Sequence, residues 1–517
     1  MTKILEDGDG LRNRISRGVN KLADYVSVTL GPKGQNVLLQ SKDSNPIITK
    51  DGVTVAKFVD LDDPIENAGA TVVKQASAKT NTDAGDGTTT STVLTRAIFN
   101  TATRHIRSGA SPIEVKRSIE SSAEKVLNRL SELAKPISSE EDIAHIATIS
   151  ANNDDAIGNL VATAVDRVGK NGSITVEEAR SLETSLDLVE GFRFDSGYAA
   201  GAFVTDERRK VARYDNPMFL ITDEKLETVE QILPALEIVA RENKPLVIVA
   251  DDIEGQALAA LIMNTVRGTM KVAAVKAPRY GEERRSIMSD LALSTGAKFF
   301  RKSEGHCLTD ITLLDFGTSR NVEVAKSITT VVDGSGDLSE VEKRIEDIKE
   351  EIAQTQNMHE AERLQSRITR LSSGIAVIRV GAATQVEMIE KKHRIEDALE
   401  AVRSAQQEGI VPGGGVTLYN LANNLESGTV GDTILKDSLK EPISIMARNA
   451  GMSPEVCFMR LQDVKDSSYG INFANGTMVN LLEQGVLDPA KVTRCALQNA
   501  VSVACTLIMT SNAIVET

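Results

Sequence analysis

Tryptophan is missing from this chain, and aromatic residues of every kind make up only 3% of it, so any core must be built from aliphatic side chains. No apolar run is long enough to cross a membrane as a helix. Residues 1–10 are polar and acidic, unlike a secretory signal or an Arg-rich transit peptide. The four cysteines (Cys307, Cys457, Cys495, Cys505) lack metal-type spacing. Cys495 and Cys505 share one apolar segment and read as buried thiols, which fits a reducing, cytoplasmic setting. Basic residues are also in deficit, 59 Lys and Arg against 73 Asp and Glu, leaving a net charge of −14. That balance argues against nucleic acid as a main partner. What remains is the composition of a soluble globular protein, 41% hydrophobic and 26% charged. Its length suggests roughly three domains.

The most informative stretch is Ala84-Gly85-Asp86-Gly87-Thr88-Thr89-Thr90. It separates two segments with helical periodicity. The first starts at Asp63-Pro64, an N-cap followed by a first-turn proline, and continues through Ile65, Ala68, Val72, Val73 and Ala76. The second runs through Val93, Leu94, Ala97, Ile98, Ala102 and Ile106 to Ser108-Gly109. Glycines let a backbone approach a ligand closely. Free N–H groups at a helix start attract anions. Asp86 would repel a bare phosphate, so the string makes chemical sense if a cation lies between them. A hard divalent ion such as Mg²⁺ is commonly shared between a carboxylate and substrate phosphates. The local pattern therefore suits a metal–nucleotide site. An ordinary capped turn between two helices accounts for the same residues, and the string alone does not separate the two readings.

In chain order, Leu11, Ile15, Val19, Leu22 and Val26 mark a first helix closed by Gly31. Short strands are expected at 37–39 and 46–49, the second running into Lys50-Asp51-Gly52. Helices dominate to about Leu133, and the character changes at Lys135-Pro136. A turn at 169–172 precedes a strand at 173–176. From about Gly191 an α/β pattern appears, with buried strands at 219–221, 246–250 and 272–275. Two helices lie among them, one carrying Val229, Ile232, Leu233 and Leu236, the other Leu258, Leu261, Ile262 and Met263. These stripes are read as core faces, with an exposed groove for a partner as the alternative. Residues 338–371 look like an antiparallel helical hairpin over a sheet. A strand at 375–380 leads into a long charged helix at about 385–408. Asp397 lies about 200° around that helix from Ile395 at ~100° per residue, away from the apolar stripe and on what reads as a solvated face. Gly413-Gly414-Gly415 opens another helix, and Asp488-Pro489 caps the last one. The last hundred residues resemble the first 133 in composition, which suggests a discontinuous domain with the middle inserted into it.

Taken together, the strings at 28–34, 48–53, 85–90, 148–152, 272–278, 380–384, 394–398 and 413–415 make the chain resemble the group I chaperonins, the GroEL-type chaperonin-60 family, from about Gly18 to Thr510. Their order and spacing carry the resemblance. It implies an α/β multidomain fold: a mainly helical, discontinuous equatorial domain (1–133 and 408–517), a small α/β intermediate domain (134–189 and 376–407) and an α/β apical domain (190–375). It implies an ATPase that binds non-native proteins and encloses them in a ring chamber, with ATP, Mg²⁺ and K⁺ as cofactors. The implied partners are client proteins, a GroES-type co-chaperonin and further copies in a seven-membered ring, single or double, with neither nucleic acid nor membrane among them.

Carried over by position, Asp86 would bind Mg²⁺, and Gly87, Thr88, Thr89 and Thr90 would cradle phosphates. Thr29, Leu30, Gly31, Pro32 and Lys50 would face them, with K⁺ near Thr29 and Lys50. Gly414, Asn472, Phe473 and Asp488 would surround adenine and ribose. Asp397 would swing in with the intermediate domain, in a rigid-body closure, and orient the attacking water, with Asp51 nearby. Tyr198, Phe203, Leu233, Leu236, Leu258, Ile262 and Met263 would hold clients. The chain departs from the pattern at Ala202, where an aromatic is usual, and at Ser196 and Gln385, where a charged pair between subunits is usual. It departs again at Ser444 and Ser453, where charges are expected at a ring–ring contact. The stretch at 422–433 is shorter than usual, and no Gly/Met-rich tail follows Thr517. These changes imply a looser ring and weak or absent ring stacking. The Asp154 and Arg394 pair is kept. A holdase or scaffold ring without a productive cycle is the competing reading, and a small-molecule kinase lacks a second substrate site.

Overall fold

The computed structural model describes residues 3–41, 46–169, 173–179, 181–355, 358–371, 374–426, 428–464 and 466–516. The expected turn at 169–172 falls mostly outside them. The chain forms two compact units. The first comprises 1–166, 176–185 and 379–517, and the second 167–175 and 186–378.

The first unit is mainly helical. Helices Gly8–Ser27, Pro64–Ala84, Thr88–Arg107, Pro112–Leu133 and Ala490–Ile508 pack around one core. Its members include Leu11, Val19, Leu94, Ile98, Leu497 and Val501, with Phe99 as the aromatic exception among its buried residues. The aliphatic composition thus appears directly in the packing. Capping chemistry sets the helix starts. Asp63 Oδ1 accepts from the N–H groups of Ile65 and Glu66, both at 3.0 Å, and Pro64, which has no N–H, needs no acceptor there. Val37–Leu39 and Ile47–Thr49 form the expected antiparallel pair. One feature escaped the sequence reading: Lys3–Asp7 pairs antiparallel with Asn512–Glu516, tying the two ends of the described chain together.

The second unit holds the α/β portion. Val272–Lys276, Leu246–Ala250 and Met218–Thr222 run parallel, and Gly317–Val324, Thr329–Gly334 and Ser185–Phe194 continue the sheet antiparallel. The parallel strands are buried along almost their whole length, which is why they read as continuous apolar runs. Helices Val229–Glu242 and Gly255–Val266 connect them.

The helical hairpin exists as Leu338–Gln354 and Met358–Leu371, joined by Ile348, Leu364 and Ile368. Its placement differs from expectation. It packs on helix Gly281–Thr295, which itself lies on the strands. The reason is electrostatic as well as apolar. Arg367, buried, donates from Nε and Nη2 to the two carboxylate oxygens of buried Asp290, at 2.9 and 2.8 Å. A bidentate pair of this kind fixes orientation as well as distance. Truncating one partner strands the other charge in the interior, so Asp290→Ala should destabilise the second unit by about 3–5 kcal/mol. In hydrogen-exchange measurements the hairpin and helix Gly281–Thr295 would lose protection together; unchanged protection would contradict the anchoring role.

Candidate nucleotide site

The site lies within the first unit, in a cleft of about 250 Å³. Its floor is the turn between two helices. Helix Pro64–Ala84 ends on Gly85 at φ 73°, and helix Thr88–Arg107 starts after Gly87 at φ 80°. Both values lie in the left-handed region that an L side chain resists. Space is short as well: a Cβ on Gly85 would lie 2.3 Å from Glu400 Cβ. Gly87 offers no capping side chain, so the first N–H groups of a 20-residue helix are left to face a ligand. Thr88 and Thr89 are buried behind that helix start.

The opposite wall is the turn after helix Gly8–Ser27. Thr29 Oγ1 donates to the Val26 carbonyl at 2.9 Å and lies 3.1 Å from Thr89 Oγ1, which links the two walls. Lys50 Nζ donates to the Gly31 carbonyl at 3.1 Å. Burial pulls the Lys50 ammonium below its ordinary value. Asp51 caps helix Gly52–Phe58, accepting from the N–H groups of Val53 and Thr54 at 3.2 Å each. Its carboxylate lines the cleft while anchoring that helix.

Leu30, Gly31, Pro32, Thr90, Gly414, Asn472, Phe473 and Asp488 line the same cleft. Asn472 ends strand Tyr469–Asn472, and its Oδ1 accepts from the Ala474 N–H at 3.0 Å. Asp488 sits in strand Leu487–Pro489, paired with Ile410–Pro412. The last helix is therefore capped from Pro489, and Asp488 is left to face the cleft. Asp397 also lines it. This corrects the solvated-face reading of that residue. Helix Gln385–Glu408 buries Ile395, Glu396, Ala398 and Leu399, so its sides away from the apolar stripe meet protein as well.

Several lining residues are not singled out in the sequence, among them Asn153, Glu390, His393 and Met446, and Ser150 enters there only as part of the 148–152 string, with no role attached. One signal was available: Asn152-Asn153 after a helical run marks a tight turn, and both residues are left-handed, at φ 62° and 65°. The Asp154–Arg394 pair is present at 2.9 Å, and Arg394 also meets Glu390 at 2.9 Å.

A hard cation fits this donor set. Asp86 and Asp488 bring two carboxyl groups close enough to interact, and threonine hydroxyls surround the turn. Among the described residues no cluster of three or more His, Cys, Asp or Glu could enclose a metal alone. An ion here would complete its shell with phosphate oxygens, as Mg²⁺ characteristically does.

In the second unit the seven residues expected to hold clients divide. Leu233 and Met263 are 46% and 47% exposed, and Tyr198, Leu258 and Ile262 are half-buried. Phe203 and Leu236 are in the core, a correction to the expected surface. The short helix Gly201–Phe203 turns Phe203 inward and leaves Ala202 outside. Leu236 lies on the buried side of its helix with Ile232 and Val239. Ser444, expected at a ring–ring contact, is likewise buried and donates to the Lys440 carbonyl.

A model of the TCP-1/cpn60 chaperonin family matches residues 22–517. The chain belongs to that family. Among solved structures, this chaperonin is similar to the chaperonin gp146 from the bacteriophage EL 2 (Pseudomonas aeruginosa), crystallised in the presence of ATP-BeFx. Two crystal forms match at 21% identity over 99% of both chains, with TM-scores of 0.64 and 0.63. At that identity the likeness speaks to the fold, an α/β multidomain architecture shared along the whole chain.

Burial, reinforced by the nearby charge of Asp86, pushes the Asp488 carboxyl up to about 7. An unfolded aspartate ionises near ~3.9. The folded chaperonin therefore holds a proton that the unfolded chain has released. The stability this group contributes is complete below about pH 4 and is lost as pH rises through about 7. In chelator and without nucleotide, Asp488→Asn should flatten the fall in thermal midpoint between about pH 5 and about pH 8, a slope worth at most ~1.4 kcal/mol per pH unit. Parallel curves for the two proteins would show that Asp488 is ionised throughout.

Proposed function

We propose that this chaperonin binds Mg·ATP in the cleft, hydrolyses it, and uses the cycle to bind and release non-native proteins. One observation carries the reading. Asp397 lines the same cleft as the 86–90 turn, although the two are far apart in sequence. In this reading the N–H groups and hydroxyls of Thr88, Thr89 and Thr90 hold phosphate oxygens, and Gly87 keeps the approach open. Lys50 supplies positive charge, and the turn at 29–32 closes the other side. Mg²⁺, bound through Asp86, would neutralise charge building on the phosphates. Asp397 orients a water and accepts its proton, while Asp51, already fixed as a helix cap, adds a second acceptor beside it. Gly414, Asn472, Phe473 and Asp488 border the base and ribose. K⁺ beside Thr29 and Lys50 belongs to the same proposal. Positioning and charge neutralisation supply most of the catalysis in phosphoryl transfer, and the cleft offers both.

The division into equatorial (1–133, 408–517), intermediate (134–189, 376–407) and apical (190–375) domains is part of this proposal. So are a seven-membered ring of the GroEL type and a co-chaperonin sharing the client surface. That surface is narrower than the resemblance implies. It consists of Leu233, Met263 and the half-buried Tyr198, Leu258 and Ile262. Exposed aliphatics attract unfolded chains because those chains expose apolar surface of the same kind.

Asp397→Ala should lower ATP turnover by at least ~100-fold, the usual contribution of a positioned proton acceptor, with nucleotide affinity little changed. Refolding of an aggregation-prone client should fall with it. Equal refolding by both proteins without nucleotide would favour a holdase and sink the ATP-driven reading.

A further inference from the structure

Asp86 is held from outside its own turn. Its Oδ2 accepts from Ser150 Oγ at 3.1 Å, while its Oδ1 accepts from the Gly87 N–H. Ser150 is the last residue of helix Glu140–Ser150, which packs along helix Gln385–Glu408, the element that carries Asp397. The second helix grips the same turn. Ser404 Oγ donates to the Ala84 carbonyl at 2.9 Å, and Glu400 lies directly over Gly85. Contacts from two mutually packed helices therefore converge on residues 84–86.

We propose that Ser150 is a positioning residue for the metal-binding carboxylate of Asp86. The inference rests on the nucleotide reading above. The terminal torsion of an aspartate is broad, so the plane of its carboxylate is set by the bonds it accepts. A hydroxyl on one oxygen and a backbone N–H on the other aim that plane before a cation arrives. Partners that orient a metal ligand in this way typically change metal affinity by an order of magnitude or more when removed. The arrangement also ties two functions together. Ser150 and Asp397 ride on helices packed against each other, so a displacement of that pair would alter the aim of the metal ligand and the position of the water-orienting group in one movement.

The test is calorimetric titration of ADP at a series of Mg²⁺ concentrations, alongside the same titration in EDTA. Ser150→Ala should raise the Mg²⁺ concentration for half-maximal ADP binding about tenfold. It should leave ADP binding in EDTA and the thermal midpoint where they are in the wild type. Ser150→Thr keeps the hydroxyl and should restore the wild-type Mg²⁺ dependence. In turnover assays the loss should appear in KM for Mg·ATP, with kcat at saturating Mg²⁺ within about twofold of wild type. An unchanged Mg²⁺ dependence in Ser150→Ala would overturn the inference and leave the nucleotide reading intact. So would an equal loss of binding in EDTA, which would mark a general structural role. A wild-type protein without Mg²⁺-dependent ADP binding would overturn both.

Discussion

A single carboxylate held between two left-handed glycines is the constraint on which the first unit depends. Gly85 stops one helix, Gly87 starts the next, and Asp86 is left at the only place where neither helix can absorb it. The geometry is demanding on three sides. Left-handed backbone excludes most side chains, Glu400 excludes a Cβ at Gly85, and Val492 Cγ1 would lie 2.6 Å from one at Gly87. Two long helices, their caps and the helix at the chain's end thus combine to present N–H groups, hydroxyls and one charge to the same small volume.

The electrostatics of the cleft follow from that crowding. Burial above all, and then the charge of Asp86, disfavours the ionised form of Asp488. Lys50 is pulled the other way, its ammonium disfavoured by burial. The same enclosed surroundings thus disfavour the charged forms of both groups. The second unit solves a different problem. Its parallel strands must be covered on both faces, and its hairpin is secured through the Asp290–Arg367 pair, a charge–charge contact that specifies orientation where apolar contact alone would allow sliding.

Much of the architecture was legible in the order of the residues. Helix Gln385–Glu408 has the expected bounds, and the strands at 37–39, 246–250 and 272–276 fall within a residue of theirs. These elements announce themselves because their periodicity and caps are local. The paired ends of the chain, Lys3–Asp7 and Asn512–Glu516, were silent because a strand whose only partner lies at the other end of the chain has no local signature. The resemblance set Phe203 and Leu236 on the client surface, although the helical stripe of Leu236 by itself reads as the core face it is. For Phe203 the reason is related. An apolar residue next to an exposed one reads the same whether it faces the core or the solvent until the packing is known. Among the cleft residues, the 85–90 turn stood out on its own, whereas Ser150 was visible only within the 148–152 string and had no legible role, since a serine at a helix end is ordinary.

Sequence alone determined the aliphatic core, the helical ends with an inserted α/β middle, and the glycine-flanked carboxylate, because composition, periodicity and turn chemistry act over a few residues. Helical periodicity left Asp397 on a solvated face and only the resemblance set it at the nucleotide; the tertiary structure lines the cleft with it, because its place depends on what packs against the far side of its helix. The same holds for the width of the exposed apolar surface, set by which side chains the core takes inward.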